Sequence, residues 1–220
     1  VERELEERAR LHAALGDPLR LAIVEDLAVS DRSPKELGDR FGVATNLLTH
    51  HLAVLESSGL LERFVSSGDR RRRYVRLVRA PLAELGLVTA RPVAEALFVC
   101  THNSARSQLA AALWQTRTGH RARSAGTHPG RRVHPAAVEA GARAGLDLAG
   151  ASPVPIDDRP DAPIVVTVCD RAHEELQPEA SWWHWSIPDP VEAGTARAFD
   201  AVVTELDSRI GTLTLRERNP

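Results

Sequence analysis

Cysteine is scarce in this chain: among 220 residues only Cys100 and Cys169 carry a thiol. Two thiols cannot form a disulfide framework, so the fold must rest on apolar cores. A chain of this length fits one large domain or two small ones, each able to bury its own core. Lysine is scarcer still, with Lys35 alone against many arginines; nothing physical requires that bias, and it favours no function. No N-terminal apolar run reads as a signal peptide and none is long enough to span a membrane, so the expectation is a cytoplasmic protein with reduced thiols and no membrane partner. The formal net charge of -2 and a pI near 6.5 argue against a globally basic nucleic-acid binder. Any such activity must come from a local patch.

The first ninety residues have a helical period followed by an alternating one. Leu5, Leu11 and Leu15 stand at helical spacing, and Asp17-Pro18 opens a second helix reaching about Ala28. Ser33-Pro34-Lys35-Glu36 combines an N-cap serine, a proline at the first helical position and a glutamate at the third, a capping box for a third helix that stops near Gly42. From Thr45 to Ser57 a buried stripe of Leu48, Leu52 and Leu55 predicts a fourth helix closed by Gly59. The third and fourth helices make a helix-turn-helix. Leu60 to Leu77 alternates around the turn Ser66-Ser67-Gly68-Asp69 and predicts a two-stranded hairpin, followed by a helix from Pro81 to about Val88. Ala90-Arg91-Pro92 breaks the pattern and divides the chain into domains at 1–90 and 91–220. No internal repeat relates the two halves.

Helix-turn-helix and hairpin in this order describe a winged helix, whose second helix enters the major groove of duplex DNA. On the face opposite the leucine stripe, Thr45, Asn46, Thr49 and His50 are candidate readers of base edges and phosphates. The wing carries Arg70, Arg71, Arg72 and Arg73, followed by Arg76, as candidate phosphate contacts, and these form the local basic patch. His51, adjacent to His50 on the helix, is expected to be half-buried. The run Leu48-Thr49-His50-His51-Leu52-Ala53-Val54-Leu55-Glu56-Ser57-Ser58-Gly59-Leu60-Leu61 and its arginine-rich wing resemble the ArsR family of winged-helix repressors over about residues 5 to 80. The resemblance implies a homodimer on a palindromic operator that is released by an inducer. The chain departs from the family's arsenic and metal sensors, because residues 1–99 contain no cysteine. Val29, Ser30 and Asp31 occupy the place of the paired inducer cysteines, and the helix from Leu82 to Val88 has no histidine.

Beyond Ala96, short apolar runs alternate with helical patterns. Strands are predicted at Ala96 to Val99, Ala122 to Ser124, Ile164 to Val168 and Trp182 to Trp185. Helices are predicted at Ala105 to Thr118, His134 to Ala144, His173 to Leu176 and Thr195 to about Leu213. This predicts an α/β domain with a parallel sheet. The first strand ends at Cys100, and Arg106-Ser107 opens the next helix after five residues, the spacing C-x5-R-S. A loop of backbone N–H groups at a helix N-terminus, formed by Thr101, His102, Asn103, Ser104, Ala105 and Arg106, can wrap a tetrahedral oxyanion while its positive field favours a Cys100 thiolate. Arg106 offers a planar fork to two oxygens, Ser107 can donate to the thiolate, and Asn103 can brace the loop. Asp189, held between Pro188 and Pro190, is the candidate proton donor for the departing oxygen.

These segments, with Ser124-Ala125-Gly126-Thr127, Val165-Val166-Thr167-Val168-Cys169-Asp170 and Asp189-Pro190, resemble the low-molecular-weight phosphatase superfamily over about residues 94 to 212, and within it the ArsC arsenate reductases. The resemblance implies a flavodoxin-like four-stranded parallel sheet and attack of Cys100 on arsenate, for which phosphate and sulfate are mimics. It implies no metal and no bound cofactor. The superfamily's tyrosine phosphatases have tyrosines after Asp-Pro, whereas Val191 and Glu192 follow here and the one tyrosine is Tyr74. Reductases with a three-cysteine relay have a third cysteine where this chain has Leu176. Two routes therefore remain open: a small thiol such as mycothiol or glutathione attacks the Cys100 adduct and an external redoxin resolves the product, or Cys169 attacks. The expectation is a repressor fused to an arsenate reductase. The alternatives are a regulator that senses an oxyanion or redox signal at Cys100, and a phosphatase.

Overall fold

The computed structural model describes residues 2–86, 92–157 and 160–214. By backbone proximity the chain forms two compact units, one of residues 1–66 and 70–89 and one of residues 67–69 and 90–220. The boundary read at Ala90-Arg91 lies outside the described residues.

The first unit contains α1 (Glu2–Leu15), α2 (Pro18–Leu27), α3 (Pro34–Phe41), α4 (Thr45–Ser57), an antiparallel hairpin of β1 (Leu61–Val65) and β2 (Arg73–Leu77), and α5 (Ala80–Glu84). The capping box of α3 is complete: Ser33 Oγ accepts from Glu36 N at 3.2 Å, and Ser33 N donates to Glu36 Oε2 at 2.6 Å. Leu48, Leu52 and Leu55 of α4 are buried against Ile23, Leu27 and Leu37, which gives the helix-turn-helix a core of its own. That packing decides which face of α4 is left to solvent. The middle of β2 is tied to the preceding chain by paired backbone bonds between Arg32 and Val75. Helix α5 ends at Glu84, earlier than its apolar pattern suggests, because Gly86 takes a left-handed conformation. The predicted continuation to Val88 falls outside the described residues.

The second unit is a four-stranded parallel sheet of order β4-β3-β5-β6, with β3 at Ala96–Cys100, β4 at Ala122–Gly126, β5 at Ile164–Thr167 and β6 at Trp183–His184. Its helices are α6 (Arg106–Thr118), α7 (Pro135–Arg143), α8 (Asp170–Leu176), α9 (Pro190–Ala193) and α10 (Ala196–Thr214). All five residues of β3 are buried, as the apolar run predicts for a central strand covered on both faces. Phe98 meets the rings of Trp114 and Trp185 at centroid distances of 5.6 and 5.7 Å, which packs α6 and the end of β6 onto the sheet.

Two sequence expectations are corrected, and one element is new. Helix α8 starts at Asp170, three residues before the predicted His173, because Cys169 acts as its N-cap and its sulfur accepts from Ala172 N. The strand read as Trp182 to Trp185 is two residues long. Helix α9 was not predicted; it is a single turn that begins at Pro190 and is capped by the Asp189 side chain. Among the described residues no helix is long and apolar enough to cross a membrane.

Candidate functional site

The segment from Cys100 to Arg106 leaves the end of the central strand β3 and enters the N-terminus of α6. Its carbonyls are held on the outside of the loop. Thr127, His128, Gly130 and His134 donate their backbone N–H groups to the carbonyls of Cys100, Thr101, His102 and Ser104 at 2.8–3.2 Å. The carbonyl of Asn103 accepts from Gln108 Nε2 at 3.1 Å, and that of Ala105 from Leu109 N at 2.9 Å. Because each peptide's N–H and C=O point in opposite directions, this outer strapping turns the loop's N–H groups toward Cys100. Asn103 N lies 3.2 Å from Cys100 Sγ. The N–H groups of His102, Ser104 and Ala105 meet no backbone carbonyl among the described residues.

Asn103 fixes the curvature. Its φ of 48° is left-handed, a conformation that asparagine tolerates better than most side chains. Its amide Nδ2 donates to Ser107 Oγ at 2.8 Å and its Oδ1 accepts from Val154 N at 2.8 Å. Ser107 Oγ, which accepts from Asn103, has its own proton left for Cys100 Sγ at 3.0 Å. Asn103 and Ser107 thus form a chain of donors that ends on the sulfur, and both are fully buried. Gly126 is required beside this loop, since a Cβ there would stand 2.8 Å from the Thr101 carbonyl oxygen.

Arg106 is buried and bridges to the loop before α9, donating from Nη1 to Ile187 O at 3.0 Å and from Nη2 to Asp189 Oδ2 at 2.6 Å. The sequence reading gave its fork to an incoming oxyanion; two of its five N–H donors are instead committed to the protein. Burial opposes its charge, but the charges of Cys169, Asp189, Cys100 and Asp170 outweigh that penalty, and the guanidinium is held protonated more firmly than usual. Asp189 is partly exposed, and its Oδ1 accepts from Val191 N at 3.0 Å. The structure therefore brings Cys100, Asn103, Arg106, Ser107 and Asp189 together. The side chain of Thr101 turns away from the loop's hollow to Cys169 Sγ, at 3.4 Å. His102 is exposed, and its Nδ1 lies 3.0 Å from the His128 carbonyl oxygen.

Cys169 is buried, and burial pushes its thiol up; Arg106 draws it down, while Cys100 pushes it further up. Next to it lies a buried polar cluster that the sequence reading missed. His184 Nε2 and Asp170 Oδ1 are 3.0 Å apart, and Thr167 Oγ1 lies 2.9 Å from His173 Nδ1 and 3.0 Å from His184 Nδ1. Burial pushes the Asp170 carboxyl up, yet the hydrogen bond and charge of His184, with a hydrogen bond from Ser186, hold it far below the usual carboxylate range. A carboxyl so depressed stabilises the fold above its unfolded value near pH 4, and loses that contribution as pH falls below it, at about 1.4 kcal/mol per pH unit. Asp170→Asn is expected to cost about 3 kcal/mol at pH 7 and progressively less below pH 4. All four tryptophans lie in the second half of the chain, so urea unfolding followed by their fluorescence reports on this unit. An equal cost at both pH values would contradict the assignment.

Gln108 was missed as well. Its amide donates to Asn103 O, Asn103 Oδ1 and Ser152 O at 3.1–3.2 Å, and among the polar residues Arg106, Ser107 and Gln108 that open α6 nothing in the sequence marked it out. Nor was any signal available for the pair of Asp170 and His184, which are fourteen positions apart.

On the first unit, Thr45, Asn46, Thr49 and His50 are exposed on α4, as are Arg70, Arg71, Arg72 and Arg73 at the wing. Arg76 pairs with Asp31 at 3.3 Å and stacks 4.7 Å over the Phe64 ring, so its guanidinium is engaged within the first unit. His51 is more buried than expected, with its Nδ1 3.6 Å from Asp17 Oδ1.

The family model for low molecular weight phosphotyrosine protein phosphatase matches residues 95–218, more than half of the 220-residue chain. The chain belongs to that family. A second model, for a helix-turn-helix domain, matches residues 15–63, so this low molecular weight phosphatase-family chain also carries a DNA-binding type of domain. Among solved structures it is similar to the tyrosine phosphatase Wzb from Escherichia coli K30 in complex with sulphate. That match has 20% identity and a TM-score of 0.51 over 56% of this chain and 97% of that one. A YwlE mutant from Bacillus subtilis matches at 21% identity and a TM-score of 0.50 over 58% and 100% of the two chains. An arsenate reductase in the phosphate binding state matches at 25% identity and a TM-score of 0.49 over 56% and 98%. The Wzb and YwlE likenesses establish the fold of the family domain. No curated protein matches the chain.

Proposed function

We propose that this chain is a transcriptional repressor of the ArsR type, acting as a homodimer on operator DNA, whose family domain reduces arsenate to arsenite. The observation that carries the catalytic reading is the sulfur of Cys100, which accepts from Asn103 N and Ser107 Oγ within a loop whose carbonyls from Cys100 to Ser104 are all held by other groups. The Cys100 thiolate attacks arsenic, an S–As bond forms, and an As–O bond breaks; Asp189 supplies the proton with which that oxygen leaves as water. A second thiolate, from mycothiol or glutathione, then attacks Cys100 Sγ. The S–As electron pair stays on arsenic, which leaves as arsenite, so that As(V) gains two electrons and two thiols become a disulfide. An external redoxin reduces the disulfide. Val191, in place of a ring that could stack on an aryl substrate, supports a small inorganic substrate over phosphotyrosine.

The test is arsenite release by the purified full-length protein given arsenate, mycothiol or glutathione, and a redoxin. One arsenite per disulfide formed is expected. Release no greater than that of Cys100→Ser would contradict the proposal. Asp189→Asn, which keeps the shape but not the proton, is expected to lower turnover about 10²- to 10⁴-fold. Turnover within a few-fold of wild type would remove Asp189 from the mechanism.

A second reading is favoured by the cysteine-free residues 1–99, which leave the ArsR-like domain without inducer thiols. In it, an oxyanion or an oxidised Cys100 changes operator affinity. Operator binding that ignores arsenate, arsenite, phosphate and oxidation alike would dispose of it. A third, hydrolysis of a phosphate monoester by the same thiolate, is supported by the family match.

A further inference from the structure

Leu47 is out of place on α4. Side chains of helix residues one turn apart share a face, and the buried stripe of α4 runs through Leu48, His51, Leu52 and Leu55. Leu47 stands off that stripe, is 48% exposed, and lies one turn before the exposed His50, with Thr45 and Asn46 preceding it. It is the third residue of the helix, in the turn that a helix-turn-helix presents to base edges. That turn is locally fixed: Leu47 N donates to Asn46 Oδ1 at 2.9 Å, and Thr49 Oγ1 donates to Thr45 O at 2.7 Å.

The neighbouring side chains recognise hydrogen-bonding groups. A leucine cannot, and its exposure costs hydrophobic free energy until something apolar covers it. On the major-groove edges of the four base pairs there is one apolar feature, the C5-methyl group of thymine. We infer that Leu47 is a specificity-determining residue that packs on a thymine methyl in the operator. This rests on the DNA-reading function proposed for the first unit, and it adds a thymine requirement to that function which none of Thr45, Asn46, Thr49 or His50 imposes by hydrogen bonding alone.

The test begins with the full-length protein and a pool of randomised duplex DNA, from which preferred sequences are selected. In the selected duplex each thymine is replaced in turn by uracil, which removes the methyl group and keeps every hydrogen bond. At the contacted position the wild type is expected to bind uracil about fourfold more weakly, the factor for about one methyl-sized group returned to water. Leu47→Ala should bind the thymine and uracil duplexes equally, near the wild-type affinity for uracil, and Leu47→Met, which keeps a long apolar side chain, should restore discrimination. Wild-type affinity that is indifferent to uracil at every position would overturn the inference. So would a Leu47→Ala loss that is the same on both duplexes, which would assign the side chain to a protein contact instead. A pool that yields no preferred sequence would overturn the DNA-reading function itself, and this inference with it.

Discussion

Cys100→Ser is expected to lower arsenite formation at least about 10⁴-fold, because it removes the group that the rest of the site serves. Serine fits the same space, and its oxygen can still meet Asn103 N and Ser107 Oγ, which lie 3.2 and 3.0 Å from the sulfur. The loop's outer strapping does not involve the side chain at all, so the urea midpoint should stay close to that of the wild type. A hydroxyl differs from a thiol in two respects that matter here. It is hardly ionised near neutral pH, so it is a poor nucleophile, and it cannot contribute an electron to a disulfide. Arsenite release should therefore vanish even where slow ester formation with the oxyanion persists. Release within tenfold of wild type would mean that Cys169 or an external thiol is the primary attacking group.

Arg106→Lys is expected to lower kcat/KM for arsenate about 10²- to 10³-fold while preserving a positive charge. The guanidinium reaches Ile187 O and Asp189 Oδ2 from two different nitrogens and still has donors left for an oxyanion. A lysine ammonium is a compact point charge that cannot hold both partners in one plane, so an oxyanion and Asp189 would compete for it. Inhibition by phosphate or sulfate should weaken in parallel, since those anions need the same donors. A loss under tenfold would mean that the backbone N–H groups carry the oxyanion alone and that Arg106 is a structural clamp.

How much of this was legible in the sequence depends on the range of each interaction. The capping box at Ser33, the stripe of Leu48, Leu52 and Leu55, and the spacing from Cys100 to Arg106 are local patterns, and each placed its element correctly because local geometry decides it. The order β4-β3-β5-β6 agrees with the parallel sheet expected from alternating apolar runs and helices. What was missed was set mainly by partners distant in sequence. Arg76 reads as another wing cation until Asp31 and Phe64 are beside it. The early start of α8 is the local exception: the residue that caps it is a cysteine, a weak acceptor that does not read as a cap. Asp170 and His184 meet across two strand ends, and no spacing announces the pair. Leu47 escaped notice for a simpler reason: a leucine next to a leucine stripe is read as core.

The most direct test of arsenate chemistry at Cys100 is the ratio of two specificity constants on one preparation of the full-length protein: kcat/KM for arsenate reduction with a low-molecular-weight thiol and redoxin, and kcat/KM for hydrolysis of an aryl phosphate. A site with the Cys100 cradle and with Val191 where a stacking ring would stand predicts that arsenate is preferred and that both activities are lost together in Cys100→Ser. Aryl phosphate turnover far above arsenate reduction would contradict it and leave the chain a phosphatase joined to a helix-turn-helix.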